Sequence, residues 1–505
     1  MGFEVIVVGA GPTGLMLAAE LALADVRTRV VERRTEATRN SRALTLHPRS
    51  VELMDLRGIA RRFLSEGPTA PGWHFANLPT PLDFSRLDSR RGYTLVLPQA
   101  RTEAILETRA RELGVRIDRG QQVVGLEQDA AGVSVEVRDV AGGVTEDRAL
   151  FVVGCDGGRS FVRQAAGIGF PGTDETLTGM LGDFAELEPS PAALEAARAA
   201  GVLIVPAGDG LTRLVVIDPE RMRRPSSEPV TMAEFRASLR RLCGSDLGIA
   251  APRWLSRFGN ATRVAERYRE RRVLLAGDAT HIHFPAAGQG LNTGLQDAMN
   301  LGWKLAAEVR GRAPAGLLDS YDAERRPAGR DFTENTEIQL LLGELTLTPE
   351  YARPAAALRA LLDELLGLDE VNRLLAGRVS ALSTSYPAAA GDDPLVGRRM
   401  PDLGLIAADR RSTHVSELLV AGRFALLDFT GGSPRLASQV AGRVEVVAVA
   451  EHDERAELRG VRELLVRPDG HVAWASRTAD PVAREAERER ALTGWVGLPV
   501  ADPAR

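Results

Sequence analysis

Residues 272–305 read RVLLAGDATHIHFPAAGQGLNTGLQDAMNLGWKL, and the reading of the whole chain turns on them. The apolar run 273–276 has the character of a buried strand, and it stops at Gly277-Asp278. A turn with Pro285 follows, then Gly288-Gln289-Gly290, then apolar residues at helical spacing: Leu291, Leu295, Met299, Leu301 and Leu305. A strand, a carboxylate, a glycine turn and a helix start, in that order, make a cradle for a polar ring. The helix start offers free N–H groups and the positive end of its dipole. Asp278, at the strand end, has the chemistry to accept hydrogen bonds from a chain of hydroxyls. An ordinary strand-turn-helix with a structural Asp would look the same, so two further motifs decide.

The chain opens on one of them. Residues 3–14, FEVIVVGAGPTG, are a β-branched strand running into G-x-G-x-x-G, with Pro12 and Thr13 between the last two glycines. Gly9 permits the tight turn, Gly11 lets backbone approach a pyrophosphate, and Gly14 allows close helix–strand packing. A helix follows, then a second strand over 26–32 that ends in Glu32, with Arg33 next to it. Glu32 stands 18 residues after Gly14, where a carboxylate takes the ribose hydroxyls of an adenosine. Together these pieces point to dinucleotide binding but do not separate FAD from NAD.

The other motif is 150–160, LFVVGCDGGRS, a second buried strand delivering an acid and glycines, here Asp156-Gly157. In open α/β sheets ligands collect at the carboxyl ends of strands, so both acids are expected at one edge. Arg42 falls just past the second strand, within reach of a pyrophosphate; a solvated loop arginine is the competing reading. Gln99 or Arg101, at a helix start, is placed to hold the middle of a cofactor, or else forms a capping cluster.

At 505 residues the chain calls for roughly two to four domains. With 44% hydrophobic and 26% charged residues it has the composition of a soluble globular protein. A net charge of -5, spread along the chain, gives no basis for binding nucleic acid or an anionic membrane. The two cysteines, Cys155 and Cys243, lie far apart without metal-type spacing, which implies a cytoplasmic, disulfide-free protein with no metal site. No signal peptide precedes the first strand, and no apolar run approaches the ~20 residues of a membrane span.

The fold class expected is α/β. A discontinuous dinucleotide domain takes 1–75, 97–172 and 265–383; a β-sheet substrate domain takes 76–96 and 173–264. A linker at 384–393 leads into a β-α-β tail over 394–505, with Asp469-Gly470 as a hairpin turn.

Taken together the three motifs resemble those of the single-component flavin aromatic hydroxylases, the group typified by para-hydroxybenzoate hydroxylase, over the first ~380 residues. The tail resembles the thioredoxin-like domain of the subgroup acting on aromatic polyketides, and having no Cys-x-x-Cys it is structural. The resemblance implies a Rossmann-like FAD domain, NADPH or NADH as reductant, dioxygen, and a polycyclic aromatic substrate oxidised through a flavin hydroperoxide. It implies that Gly9, Gly11, Gly14 and Glu32 bind the pyrophosphate and adenosine, and that Arg42 with Gln99 or Arg101 holds the middle of FAD. Asp278 would bind the ribityl chain, Gly288, Gly290, Leu291 and Asn292 the ring edge through backbone N–H groups, and Pro285 would lie beside the ring. Asp156-Gly157 would serve both FAD and NAD(P)H. Thr280 stands where the family commonly has Ala, and the carboxylate-gripping Arg and Tyr of the benzoate enzymes have no counterpart here.

Trp73, Phe75, Tyr93 and Phe284 are the candidate pocket aromatics; His281 and His283 adjoin the flavin loop, but no catalytic base is assigned. Alternatives are a Baeyer–Villiger or ring-opening oxygenation and a flavin-binding protein without turnover. A halogenase is disfavoured by the lack of W-x-W-x-I-P. The assembly is left open, with a homodimer as the candidate.

Overall fold

The computed structural model describes residues 2–497 except 433–435, 437–439 and 441. Val5–Val8 is buried along its length and pairs in parallel with Thr28–Glu32 on one side and Phe151–Gly154 on the other. Val273–Leu275 continues the sheet in parallel beyond Phe151–Gly154, and Arg116–Arg119 does so beyond Thr28–Glu32. Arg269–Glu270 closes one edge antiparallel, giving six strands. Unbroken apolar runs suit strands covered on both faces, which is why periodicity two is absent here.

Register is what builds the site. Val8 stands opposite Gly154, and Gly154 opposite Leu275, so the three strands end together. The glycine turn, Asp156-Gly157 and Gly277-Asp278 therefore emerge side by side at one sheet edge, as the three motifs required.

Two helices lie close over this sheet, Pro12–Leu23 and the 21-residue Gln289–Val309. The expected meander is a three-stranded antiparallel sheet, Gln121–Gln128, Val133–Asp139 and Val144–Ala149, whose valines 123, 133, 135 and 137 join the same core. A four-stranded antiparallel sheet, Thr178–Glu186, Leu203–Gly208, Leu211–Val216 and Ala250–Gly259, forms a separate layer within 173–264. Helices Pro191–Ala199 and Met232–Cys243 cover one of its faces, with Phe184 and Phe235 in edge contact at 5.2 Å.

The tail has the thioredoxin-like arrangement. Phe424–Asp428 is central, parallel to Val444–His452 and antiparallel to Glu463–Val466, which pairs antiparallel with Val472–Ser476; helix Pro481–Val496 follows. The Asp469-Gly470 turn forms as expected, with Gly470 at φ +79° donating its amide to Arg467 O at 2.9 Å. The stretch 384–393 is less of a free tether than its composition suggests. Tyr386 is 6% exposed and stacks on His471, because an aromatic ring in a polar linker finds an apolar contact in the adjoining domain.

Among the described residues no helix is long and apolar enough to cross a membrane, and no His/Cys/Asp/Glu group is placed to hold a metal.

Candidate functional site

Gly11 precedes helix Pro12–Leu23, no side chain caps that helix, and a Cβ on Gly11 would meet nothing within 4 Å. Its first amides thus face open space, the requirement for cradling a phosphate. Gly9 and Gly14 are glycine for a different reason. A Cβ on Gly14 would collide with Gly9 O, and one on Gly9, at φ +108°, with the Cys155 carbonyl. The Glu32 carboxylate accepts from Ala10 N at 2.8 Å and from Arg34 N and Nε at 2.9 and 3.0 Å. Burial works to raise its pKa, but those hydrogen bonds prevail and leave it lowered, so Glu32 is an anion beside the glycine turn. Arg33 is exposed.

Thr13 joins the first motif to the third. A Cβ on Gly277, itself at φ +64°, would lie 2.6 Å from the Thr13 hydroxyl, and one on Gly294 of the long helix would collide with it. Asp156 caps its own loop, accepting from Ser160 Oγ at 2.5 Å and Val162 N at 3.1 Å; burial raises its pKa. Gly157 sits at φ +86° with open space around it. Arg163 ties the second motif to the third by donating to Gly158 O and Ala279 O, both at 2.9 Å. Burial holds the Cys155 thiol well above its ordinary pKa, which fits a packing residue.

Asp278 is exposed although Gly277 and Ala279 on either side are buried. Among the described residues its carboxylate has no hydrogen-bond partner. Surrounding protein pushes its pKa up, with His281 and Arg42 opposing. The carboxylate is thus open to solvent on one side and partly desolvated by the surrounding protein, and its acceptor atoms are free. That is the free acceptor a polyhydroxyl chain needs, and with the uncapped helix starts it shows that FAD fits.

Pro285 is exposed ahead of Ala287 (φ 51°) and Gly288 (φ 68°), which turn the backbone into the second uncapped helix start. Gly288 must lack a side chain, since a Cβ would collide with Thr45 Oγ1, and Gly290 has His283 Nε2 2.5 Å from its Cβ position. Leu291 is half-buried against the core. Asn292 does more than the sequence suggested: its side chain accepts from His47 N at 2.8 Å and donates to Thr45 O at 3.1 Å and Gly288 O at 2.8 Å.

The remaining candidates divide. Arg42 is exposed and close enough to Asp278 to affect it electrostatically. Gln99 accepts from Ala43 N at 3.3 Å and donates to Glu103 at 2.8 Å, while exposed Arg101 lies 3.4 Å from Asp209, in the turn after Leu203–Gly208. Trp73 and Phe75 join Phe84 and Ala287, just before the long helix, in one cluster, and Phe284 meets Phe258 of the four-stranded sheet at 5.8 Å. Tyr93 turns elsewhere, its hydroxyl 3.2 Å from Arg91, which pairs with Asp55.

Several residues went unread. Buried Arg213 pairs with Asp183 at 2.7 Å and donates to Arg42 O at 2.7 Å and to Ser41 O, pinning the Arg42 loop to the four-stranded sheet. Asp297, fully buried, accepts from Gly277 N at 3.1 Å, His281 Nε2 at 2.9 Å and Arg325 Nε at 2.7 Å. Asp297, Asn300 and Lys304 recur three and four residues apart on a helix whose Leu295, Met299, Leu301 and Leu305 read as core, a spacing that marks a buried polar stripe.

Comparison with known proteins bears on the whole chain. A family described as "FAD binding domain" matches residues 2–336, and one described as "Aromatic-ring hydroxylase, C-terminal" matches 393–499. The chain is 44% identical over 514 residues to a 12-dehydrotetracycline 5-monooxygenase/anhydrotetracycline 6-monooxygenase of Streptomyces rimosus, covering 99% of this chain and 100% of that one. It is 46% identical over 482 residues to a rifampicin monooxygenase of Streptomyces venezuelae, covering 94% and 95%. A dialkyldecalin synthase of Streptomyces rugosporus is 39% identical over 502 residues, covering 98% and 99%. Among solved structures, the OxyS anhydrotetracycline hydroxylase from Streptomyces rimosus superposes with a TM-score of 0.89 at 43% identity, covering 99% and 100%. The protein belongs to the FAD-binding aromatic-ring hydroxylase family, the flavin monooxygenases of the para-hydroxybenzoate hydroxylase type that carry an added C-terminal domain.

Proposed function

We propose that this flavin monooxygenase hydroxylates a polycyclic aromatic phenol of polyketide type, with NADPH or NADH as reductant and dioxygen as oxidant. The observation that carries the cofactor assignment is the Thr13 wedge, which brings the glycine turn against Gly277 and so sets Asp278 beside it. Reduced FAD, when bound, supplies the activation of dioxygen. The chain's own residues bind and shield. Gly9, Gly11, Pro12, Thr13 and Gly14 take the pyrophosphate, Glu32 and Arg33 the adenosine end, and Arg42 with Gln99 and Arg101 the middle of the cofactor. Asp156 and Gly157 flank it, Asp278 accepts from the ribityl hydroxyls, and Pro285 with residues 288–292 meets the ring.

A polycyclic substrate is supported by the relatives named for tetracycline-type and rifampicin oxidation, and by the aromatic contacts of Phe284 with Phe258 and of Trp73 with His47. His283 is a poor proton acceptor, since burial pushes its pKa down to about 3. The test is direct: the purified protein is yellow, and a tetracyclic phenol stimulates NADPH oxidation and oxygen uptake with formation of a hydroxylated product. A colourless folded protein that takes up no FAD would sink the assignment. A ring-opened or lactone product would instead select oxygenation of a ketone.

The dialkyldecalin synthase similarity favours one second reading, a flavin-retaining scaffold that shapes a reactive intermediate without consuming NADPH. Turnover of an isolated polyene under anaerobic conditions would select it.

A further inference from the structure

The turn between the last strands of the C-terminal domain lies inside the flavin domain rather than on its surface. Arg467, Asp469 and His471 are 1%, 2% and 4% exposed. Arg467 donates to both oxygens of Glu324 at 2.8 Å each, and Lys304 and Asn300 donate to the same carboxylate at 2.7 and 2.6 Å. Asp469 accepts from Arg467 at 2.5 Å and from Trp303 Nε1 at 3.2 Å. Lys304 is the only lysine in the chain.

Glu324 lies on helix Ser320–Leu347, and its next residue, Arg325, faces the other way. Arg325 donates to Asp297 at 2.7 Å, and Asp297 holds the amide of Gly277 and the imidazole of His281. Tyr386 lies between the two halves. Its ring stacks on His471 at 4.2 Å and sits 5.0 Å from the Arg467 guanidinium, while its hydroxyl is 3.4 Å from Arg325 Nη1. Buried charges are costly, and an interface needed only for adhesion is at least as stable when apolar. A domain with no cysteine has no thiol chemistry to justify the expense.

We propose that the 467–471 turn is a positioning element for the Gly277-Asp278 loop, with Arg325 and Asp297 as the positioning residues that carry its constraint to the cofactor. The inference rests on the flavin reading of the site. Asp297 holds the amide of Gly277 next to Asp278, Arg325 orients Asp297, and Arg325 is itself held by Tyr386 and follows the anchored Glu324 directly in its helix. Loss of the Arg467 cation leaves Glu324 and Asp469 uncompensated, and the helix relaxes around Arg325.

Two variants of the full-length protein test this. Tyr386→Phe deletes the hydroxyl contact and keeps the ring; Arg467→Met removes the cation and keeps the length. Each is compared with wild type for FAD Kd, flavin absorption and midpoint potential, with thermal unfolding of the apoprotein as the control for folding. Arg467→Met is expected to raise the FAD Kd about tenfold and Tyr386→Phe about threefold, each with a shifted flavin spectrum. Arg467→Lys should recover part of the loss. If Arg467→Met does not fold, Tyr386→Phe decides alone. Kd, spectrum and potential unchanged in a folded Tyr386→Phe protein overturn the proposal. A wild-type protein that binds no FAD overturns the reading of the site instead.

Discussion

The Thr13 hydroxyl occupies the space that a side chain on Gly294 would need, so the first helix and the long helix touch without a Cβ between them. An exposed helical Gly→Ala change normally gains about 1 kcal/mol. Gly294→Ala should instead lose about 1–3 kcal/mol through overpacking and lower FAD occupancy with it. Calorimetry with flavin stoichiometry checks both; a stabilised variant with full FAD would refute the contact.

Asp278→Ala should separate binding from stability. Its carboxylate is partly desolvated and unpartnered, so removing it leaves the melting temperature of the apoprotein unchanged or raised. A charged hydrogen bond to the ribityl chain is worth about 1.5–3 kcal/mol, so FAD affinity should drop roughly 10- to 100-fold. Equilibrium dialysis against FAD measures it, and copurification at full stoichiometry would displace Asp278 from this role.

Asn292→Ala removes three hydrogen bonds that tie Thr45 and His47 to the start of the long helix. The amide of His47 and carbonyl of Thr45 are left inside, at a cost of about 1–3 kcal/mol. Because Thr45 lies against Gly288, the expected signature is a lower denaturation midpoint together with changed fluorescence of bound flavin. A stability loss with unaltered flavin properties would confine Asn292 to the fold.

Glu324 gives a pH dependence with a definite sign. Burial opposes its charge, but Arg467 and Lys304 prevail and lower its pKa from 4.5 to about 2. The unfolded chain binds the proton first as pH falls, so this stability is complete above 4.5 and is lost on the way down to about 2. It amounts to up to about 3 kcal/mol. Urea unfolding measured from about pH 6 down to about pH 3 should show a decline that Glu324→Gln flattens. Lys304 works from the alkaline side: burial foremost lowers its pKa from 10.5 to about 7, so its contribution improves as pH rises between those values.

Each of the three motifs was legible because each is local: a strand and the glycine turn that ends it are contiguous in sequence, and backbone sterics and strand polarity are enough to interpret them. The Asp469-Gly470 hairpin was readable on the same ground. Asn292 and Asp156 show where this stops. Both stand at the sheet edge where the motifs meet, but neither bonding pattern follows from spacing: Asp156 caps its own loop, while Asn292 bonds to Thr45 and His47 far away in the chain.

What the chain alone determined, then, is the parallel sheet, the strand ends carrying the glycine turn at 9–14, Asp156-Gly157 and Gly277-Asp278, and the β-α-β tail with its Asp469-Gly470 turn, all set by local periodicity and turn chemistry. Only the tertiary structure decided that Arg213 clamps the Arg42 loop, that Asp297 holds Gly277, and that Arg467 crosses from one domain to brace another. Those contacts join residues far apart in sequence, and a buried charge chooses its partner by what folding brings within 3 Å, for which no sequence spacing is a guide.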